Sequence, residues 1–138
     1  MSWNCGFKIG LLGLGTVGTG TVEILLNPTQ RHPLLQEIEI HRVGVRSLDK
    51  PRSVILPPEL ITTDLESIVT DPAVDIVVEV IGGLEPARSL MLKAIEHGKH
   101  VVTANKAAIA RYGDEILLPR IRPECMCCWK LLSRAGFR

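Results

Sequence analysis

Residues 13–18 read Gly13-Leu14-Gly15-Thr16-Val17-Gly18, and this stretch with its two flanks decides the fold. The six residues before it, 7–12, form a short apolar run that predicts a buried strand. The residues that follow are spaced by four, three and one, which predicts one face of a helix: Gly18, Val22, Leu25 and Leu26. Asn27-Pro28 would end that helix, because proline cannot continue it. The predicted order is strand, glycine turn, helix.

Strand and helix signals alternate along the rest of residues 1–116. Strands are predicted at residues 38–45, 75–81 and 100–103, and helices at residues 64–70, 85–97 and 104–116. This alternation is typical of an α/β fold, here a Rossmann-like doubly wound parallel sheet with right-handed crossovers. We expect the sheet to be incomplete, because residues 117–138 contain two prolines and no strand-like alternation. Apolar surface on the last two helices should then stay exposed.

The three glycines follow the pattern G-x-G-x-x-G between a predicted strand and a predicted helix, the context in which this pattern binds a dinucleotide. Gly13 permits the tight turn, Gly15 lets the backbone approach a pyrophosphate, and Gly18 allows the helix to pack closely on the strand. The amides of Thr16 and Val17 would point at the phosphates from the positive end of the helix dipole. The alternative is a glycine-rich turn that binds no ligand.

Arg46 stands at the end of the second predicted strand, where many dinucleotide-binding proteins carry an acidic residue for the ribose 2′-hydroxyl. A guanidinium at that point attracts a 2′-phosphate and can bind it in a bidentate manner. The sequence therefore favours NADP as the cofactor, with NAD still possible. Two alternatives remain, a solvated arginine at a strand end and an inward-turned Asp49 that serves NAD.

Two further ionisable residues fall near the predicted ligand-binding edge of the sheet. Lys106 follows the strand at residues 100–103 and begins a helix, where a cation opposes the helix dipole unless an anion is near. We expect a cofactor contact there, the alternative being a surface charge. Glu79 lies inside an apolar strand near its carboxyl end. It is either close to the ligand or a carboxylate at a sheet edge or interface.

Composition argues against several other classes of protein. The longest uncharged stretch, residues 9–22, contains five glycines and is shorter than the roughly 20 apolar residues of a membrane span. Residues 1–116 carry 11 Lys and Arg against 14 Asp and Glu, so no basic face for nucleic acid is expected. His97, His100 and the cysteines at 125, 127 and 128 lack metal-ligand spacing, and no metal site is predicted. Without a secretory signal pattern, we expect a cytoplasmic protein.

Three stretches together resemble homoserine dehydrogenase: residues 8–18, then Val77-Val78-Glu79-Val80-Ile81-Gly82-Gly83, then Val101-Val102-Thr103-Ala104-Asn105-Lys106. The resemblance covers about residues 7–116. It implies an NAD(P)-dependent oxidoreductase that interconverts L-homoserine and L-aspartate 4-semialdehyde in threonine and methionine biosynthesis, with a homo-oligomer possible for the full-length enzyme. It also implies Arg46 on the 2′-phosphate, Lys106 near the nicotinamide end, and cofactor contacts at Gly13, Gly15, Thr16, Val17 and Gly18.

The last 22 residues depart from this resemblance. They carry five Lys and Arg against one Glu, and three of the four cysteines. We interpret residues 1–116 as the NAD(P)-binding domain and 117–138 as a tail read out of frame, the alternative being a natural basic tail. The family's substrate-binding acids and proton-donating lysine belong to a second domain, so no catalytic residue is assigned here. The chain is predicted to be a fragment without turnover; a non-catalytic NADP-binding module or a misfolded truncation product is the alternative.

Overall fold

The computed structural model of the chain describes residues 6–28 and 31–117. Five strands and four α-helices follow one another along these residues: β1 (Phe7–Leu12), α1 (Thr16–Leu26), β2 (Ile38–Gly44), β3 (Ile61–Thr62), α2 (Leu65–Thr70), β4 (Ile76–Glu79), α3 (Ala87–Glu96), β5 (His100–Thr103) and α4 (Lys106–Leu117). Short 3₁₀ helices at Pro33–Glu37 and Pro58–Leu60 lead into β2 and β3.

The strands form one parallel sheet in the order β3-β2-β1-β4-β5. The chain runs outward from β1 through β2 and β3, then returns to the other side of β1 for β4 and β5. Leu12 pairs with both Gly44 and Glu79, so β1, β2 and β4 end at the same level. Ligands of open parallel sheets bind at such a reversal of strand order, outside the carboxyl ends. The predicted doubly wound α/β class is confirmed.

Helices cover the two faces of the sheet unequally. On one face, α2, α3 and α4 bury a continuous apolar core that includes Leu12, Val77 and Val101. On the other face, α1 packs through Val22 against a smaller cluster around Leu11 and Val43. Leu11 and Leu12 belong to different clusters because successive side chains of a strand point to opposite faces.

The exposed apolar surface is not where the sequence predicts it for α3. The apolar stripe of that helix is buried: Ala87, Leu90, Met91, Ala94 and Ile95. An apolar cavity of about 270 Å³ lies instead on the α1 face of the sheet, where the half-buried side chains of Val78, Val80 and Val102 line it. The prediction for α3 was wrong because a parallel sheet buries that helix without any later strand.

Most local signals agree with the observed elements. Asp64 caps α2 by accepting a hydrogen bond from the Ser67 amide at 3.1 Å, and Gly98 follows α3 with a positive φ of 76°. The two-residue strand β3, which pairs with Val43 and Gly44, has no counterpart among the predicted elements. The interpretation of residues 118–138 lies outside the described residues.

Candidate functional site

The turn after β1 depends on glycine at its first position. Gly13 has a φ of +105°, a conformation that L side chains rarely adopt, and a Cβ there would lie 3.0 Å from the carbonyl oxygen of Val80. Its amide donates to the carbonyl oxygen of Gly44 at 2.9 Å. The turn therefore sits between the carboxyl ends of β2 and β4.

Gly18 and Gly15 have opposite surroundings. A Cβ on Gly18 would overlap the carbonyl oxygen of Gly13, so α1 packs directly on the turn only because this residue is glycine. A Cβ on Gly15, by contrast, would meet no described atom within 4 Å. The space above Gly15 is open, which is the arrangement that lets a ligand approach the backbone.

The first turn of α1 is suited to an anion. Gly15 is its N-cap residue, and among the described residues no side chain caps the helix and no acidic residue occupies the first turn. The first-turn amides, which include those of Thr16 and Val17, have no partner within the helix. Such amides and the helix dipole together favour a phosphate group.

A cavity of about 310 Å³ opens beside the glycine turn. Its lining combines the turn, the end of β2, the loop after β2 and the end of β4: Gly13, Leu14, Gly15, Gly44, Val45, Arg46, Ser47, Lys50, Arg52, Leu65, Val80 and Ile81. Three of these side chains are cations, and none of the described lining residues is a carboxylate. The cavity is therefore electropositive on its β2 side.

Sequence reasoning identified Arg46 but missed Lys50 and Arg52. Three basic residues within seven positions, 46 to 52, were the available signal. Arg52 donates to the carbonyl oxygens of Ser47, of Leu48 at 3.2 Å and of Lys50 at 3.0 Å. These hydrogen bonds hold the loop after β2, which contains Lys50. Asp49, the acidic alternative, is exposed and does not line the cavity.

On the β4 side of the switch point, where the strand order reverses at β1, a buried carboxylate joins the loop after β4 to the end of β5. Glu79 is fully buried and accepts hydrogen bonds from the amide of Ile81 at 2.9 Å and from the hydroxyl of Thr103 at 2.6 Å. Glu79 lies on β4, an inner strand of the sheet, so the alternative of a carboxylate on an edge strand is wrong. Lys106 begins α4 immediately beyond this network.

The predicted cofactor-binding residues fall into three places. Gly13, Gly15 and Arg46 line the cavity, and Thr16, Val17 and Gly18 form the first turn of α1 next to it. Lys106 does not line this cavity; it lies past the end of β5, two strands from β1. The structure thus groups six of the seven around the glycine turn.

Other features of the described residues compete weakly with this site. A larger groove of about 620 Å³ lies between α2 and α3, but it is crossed by the ion pair of Lys93 with Glu66 and has no glycine-rich backbone. Within residues 6–28 and 31–117, no group of three or more His, Cys, Asp or Glu side chains is arranged to hold a metal ion. No helix in that part of the chain has the length and apolarity to cross a membrane.

Comparison with known proteins agrees with this geometry. Residues 13–118 match the family model described as homoserine dehydrogenase, NAD binding domain. The homoserine dehydrogenase of Synechocystis sp. is 74% identical over 109 residues, which are 79% of this chain and 25% of that protein. The homoserine dehydrogenase of Bacillus subtilis is 45% identical over 112 residues, 80% of this chain and 26% of that protein.

Solved structures lead to the same group of proteins. The crystal structure of a homoserine dehydrogenase from Thiobacillus denitrificans superposes with a TM-score of 0.75 and 44% identity, covering 92% of this chain and 30% of that one. A homoserine dehydrogenase from S. aureus superposes with a TM-score of 0.71 and 38% identity, covering 80% and 29%. The chain thus spans about a quarter of the length of these curated relatives.

Proposed function

Because this chain belongs to the homoserine dehydrogenase family through its NAD-binding domain, we propose that it binds NADP(H) for the interconversion of L-homoserine and L-aspartate 4-semialdehyde. When bound, the nicotinamide ring would supply the hydride donor or acceptor for the carbon that bears the substrate's hydroxyl or aldehyde oxygen. The chain's own contribution is to bind and orient the cofactor. No catalytic residue is assigned within it.

The observation that carries the choice of NADP is the charge of the cavity. Arg46, Lys50 and Arg52 line the β2 side, and no described carboxylate stands among them to accept a hydrogen bond from a ribose 2′-hydroxyl. A 2′-phosphate brings negative charge to this point, where Arg46 can bind it with two parallel hydrogen bonds. Asp49 is the nearest acidic residue in sequence and lies outside the lining.

The remaining contacts follow from the turn and the helix. The open backbone at Gly15 and the amides of Thr16 and Val17 suit the pyrophosphate, and the tight fit of Gly18 keeps α1 in place. Lys106, past β5, is assigned to the nicotinamide end. These assignments describe binding and orientation only.

The interconversion itself is proposed for a whole dehydrogenase and not for this chain alone, because the chain spans about a quarter of its relatives' length. We expect the purified chain to bind cofactor without oxidising homoserine, since the substrate-binding acids and the proton donor are unassigned here. A cytoplasmic location and a homo-oligomeric full-length enzyme remain predictions.

Titration of the purified chain with NADPH and NADH tests the choice of cofactor. We expect NADPH to bind at least about tenfold more tightly, and Arg46→Ala to remove most of that difference, because charged hydrogen bonds to phosphate contribute roughly 1.5 to 3 kcal/mol. Arg42→Ala is the matched control, since Arg42 is an exposed residue of β2 that does not line the cavity.

Equal affinities for the two cofactors in the unmodified chain would refute the preference for NADP. An equal loss in Arg42→Ala and Arg46→Ala would show that the general positive charge of the strand, rather than one guanidinium, determines it. Homoserine oxidation by the purified chain would contradict the expectation of binding without turnover.

A further inference from the structure

Glu79 is a buried charged residue that the proposed function does not use. It is the last residue of β4, at the carboxyl edge of the sheet, and none of its surface is exposed. A carboxylate in such a position is costly unless hydrogen bonds compensate it. Within residues 6–28 and 31–117 every buried side-chain nitrogen and oxygen atom has a hydrogen-bond partner, and both oxygens of Glu79 are among them.

The partners of Glu79 come from two different loops. One oxygen, Oε1, accepts from the amides of Ile81 at 2.9 Å and Gly82 at 3.4 Å, in the loop after β4. The other, Oε2, accepts from the hydroxyl of Thr103 at 2.6 Å, at the end of β5. The carboxylate therefore fixes the loop after β4 to the end of β5.

Asn105 makes a second link between the same loops. Its Nδ2 donates to the carbonyl oxygen of Gly83 at 2.6 Å, and its Oδ1 accepts from the amide of Ala108 in the first turn of α4. Its own amide donates to the Thr103 hydroxyl at 3.0 Å. Thr103 accepts from Asn105, so its single proton is directed to Glu79.

These links hold a loop with unusual backbone conformation. Gly82 and Gly83 both have positive φ, 80° and 75°, so two successive residues depart from the regions that other residues prefer. On the far side of the network, Lys106 is the first residue of α4 and directly follows Asn105. Glu79 thus determines the relative placement of the Gly82–Gly83 backbone and the start of α4.

We propose that Glu79, through Thr103 and Asn105, is a positioning residue for the nicotinamide half of the cofactor. The inference rests on the proposed function. A dinucleotide crosses the switch point of a doubly wound sheet, so one mononucleotide half lies over β1–β3 and the other over β4 and β5. Arg46 and the glycine turn serve the first half. The two loops joined by Glu79 border the second.

The test compares two probes, NADPH and adenosine 2′,5′-bisphosphate, on the purified chain. The bisphosphate carries the adenosine half with its 2′-phosphate and lacks nicotinamide. In Glu79→Gln one acceptor oxygen becomes an NH2 donor, so either the Thr103 hydroxyl or the amides of Ile81 and Gly82 lose their acceptor. We expect this variant to bind NADPH about tenfold more weakly and the bisphosphate within about twofold of the unmodified chain.

Thr103 supplies a matched pair of variants. Thr103→Val removes the hydroxyl at nearly constant volume and should weaken NADPH binding as much as Glu79→Gln does. Thr103→Ser keeps the hydroxyl and should bind NADPH like the unmodified chain. If Glu79→Gln fails to fold, as judged by its melting temperature, the Thr103 pair decides. The fluorescence of bound NADPH gives an independent reading, because a misplaced nicotinamide stays in water and its emission should stay close to that of the free cofactor.

Unchanged NADPH binding in folded Glu79→Gln or in Thr103→Val overturns the inference. So does an equal loss for both probes, which is the result of a general structural defect. Failure of the proposed function is seen elsewhere, in the unmodified chain: if that chain binds neither probe, cofactor binding itself is refuted, and this inference with it.

Discussion

The carboxyl and amino ends of the strands in the parallel sheet each bury one ionisable side chain, and the two side chains bind different kinds of backbone group. At the carboxyl edge, the Glu79 carboxylate accepts from backbone amides and a hydroxyl. At the amino edge, Lys99 is 4% exposed, and its ammonium donates to the carbonyl oxygens of Asp71 and of Val74, the latter at 2.8 Å. In both places backbone groups of a loop bind the ionisable side chain, and at Glu79 the Thr103 hydroxyl adds a side-chain donor.

The difference lies in what those loops do. The carbonyl groups bound by Lys99 belong to the short connection from α2 to β4. His41 adds a 3.0 Å contact to Asp71 in the same connection. The amides bound by Glu79 belong to a loop beside the glycine turn and its open cavity. The backbone groups bound by Lys99 hold a connection within the fold, whereas those bound by Glu79 border the cofactor site that we propose.

The largest expected effects come from two glycines of the turn after β1, of which one is needed for stability and the other for cofactor binding. Gly18→Ala places a methyl group against the Gly13 carbonyl, which cannot move away, so we expect a loss of about 3 kcal/mol in the free energy of unfolding. Gly15→Ala places the methyl group in open space, so stability should hold while NADPH binding falls at least about tenfold, because the backbone can no longer approach the pyrophosphate.

Urea unfolding and NADPH titration of both variants check this contrast. A stable Gly18→Ala protein would show that the packing of α1 on the turn is looser than the structure indicates. Unchanged NADPH affinity in Gly15→Ala would contradict the proposal that the pyrophosphate binds against Gly15.

The next effect concerns the amino edge. Lys99→Met keeps the apolar stem but leaves the carbonyl groups of Asp71 and Val74 without their donor, at a cost of about 2 kcal/mol in the free energy of unfolding. Affinity for adenosine 2′,5′-bisphosphate should not change, because Lys99 lies at the opposite end of the sheet. Weaker binding of the bisphosphate by folded Lys99→Met would contradict the view that the amino edge contributes to stability and not to cofactor binding.

Burial also lowers the pKa of Lys99 below its ordinary value of 10.5. Between the lowered pKa and 10.5 the unfolded chain binds more protons than the folded one, so Lys99 makes stability rise with pH across that interval. Denaturant midpoints at alkaline pH should show this rise in the unmodified chain and a flatter profile in Lys99→Met.

The smallest effect is the acid dependence of Asp71. The amide of Ala73, which donates to its carboxylate at 2.8 Å, is the main cause that holds the pKa of Asp71 below its ordinary 3.8, and His41 adds to it. The stabilisation is complete above 3.8 and is lost as pH falls through the lowered pKa. Asp71→Asn should cost about 1 kcal/mol at neutral pH and flatten the stability profile below about pH 4.

Glu39→Gln is the control for this prediction, because Glu39 is an exposed carboxylate on β2. Urea unfolding from about pH 2 to pH 6 compares the three proteins. If Asp71→Asn and Glu39→Gln alter the acid profile equally, the Asp71 contacts contribute nothing particular to the amino edge.

Much of the fold follows from short-range signals in the sequence. The apolar run before Gly13 and the spacing after Gly18 predict β1 and α1. The start of α2 is expected at a cap formed by Thr63 or Asp64, of which the structure selects Asp64, and Gly98 predicts the end of α3. Each of these signals acts within one strand or one or two helical turns, where propensity, capping and φ are decided by neighbours in the chain. The glycine turn and Arg46 were identifiable on the same grounds.

The pairings between residues far apart in the sequence were decided by the tertiary structure alone. β3 has two residues and no periodic signal, and it exists because Val43 and Gly44 offer it a partner. Gly10 in β1 carries no signal of its own, yet a Cβ there would overlap Ile68 of α2. The bond from Thr103 to Glu79 joins residues 24 positions apart, and Lys99 reaches Val74 across 25. Such contacts require the register of β4 against β5, which no local pattern encodes, because a hydrogen bond depends on where two separate segments are held in space.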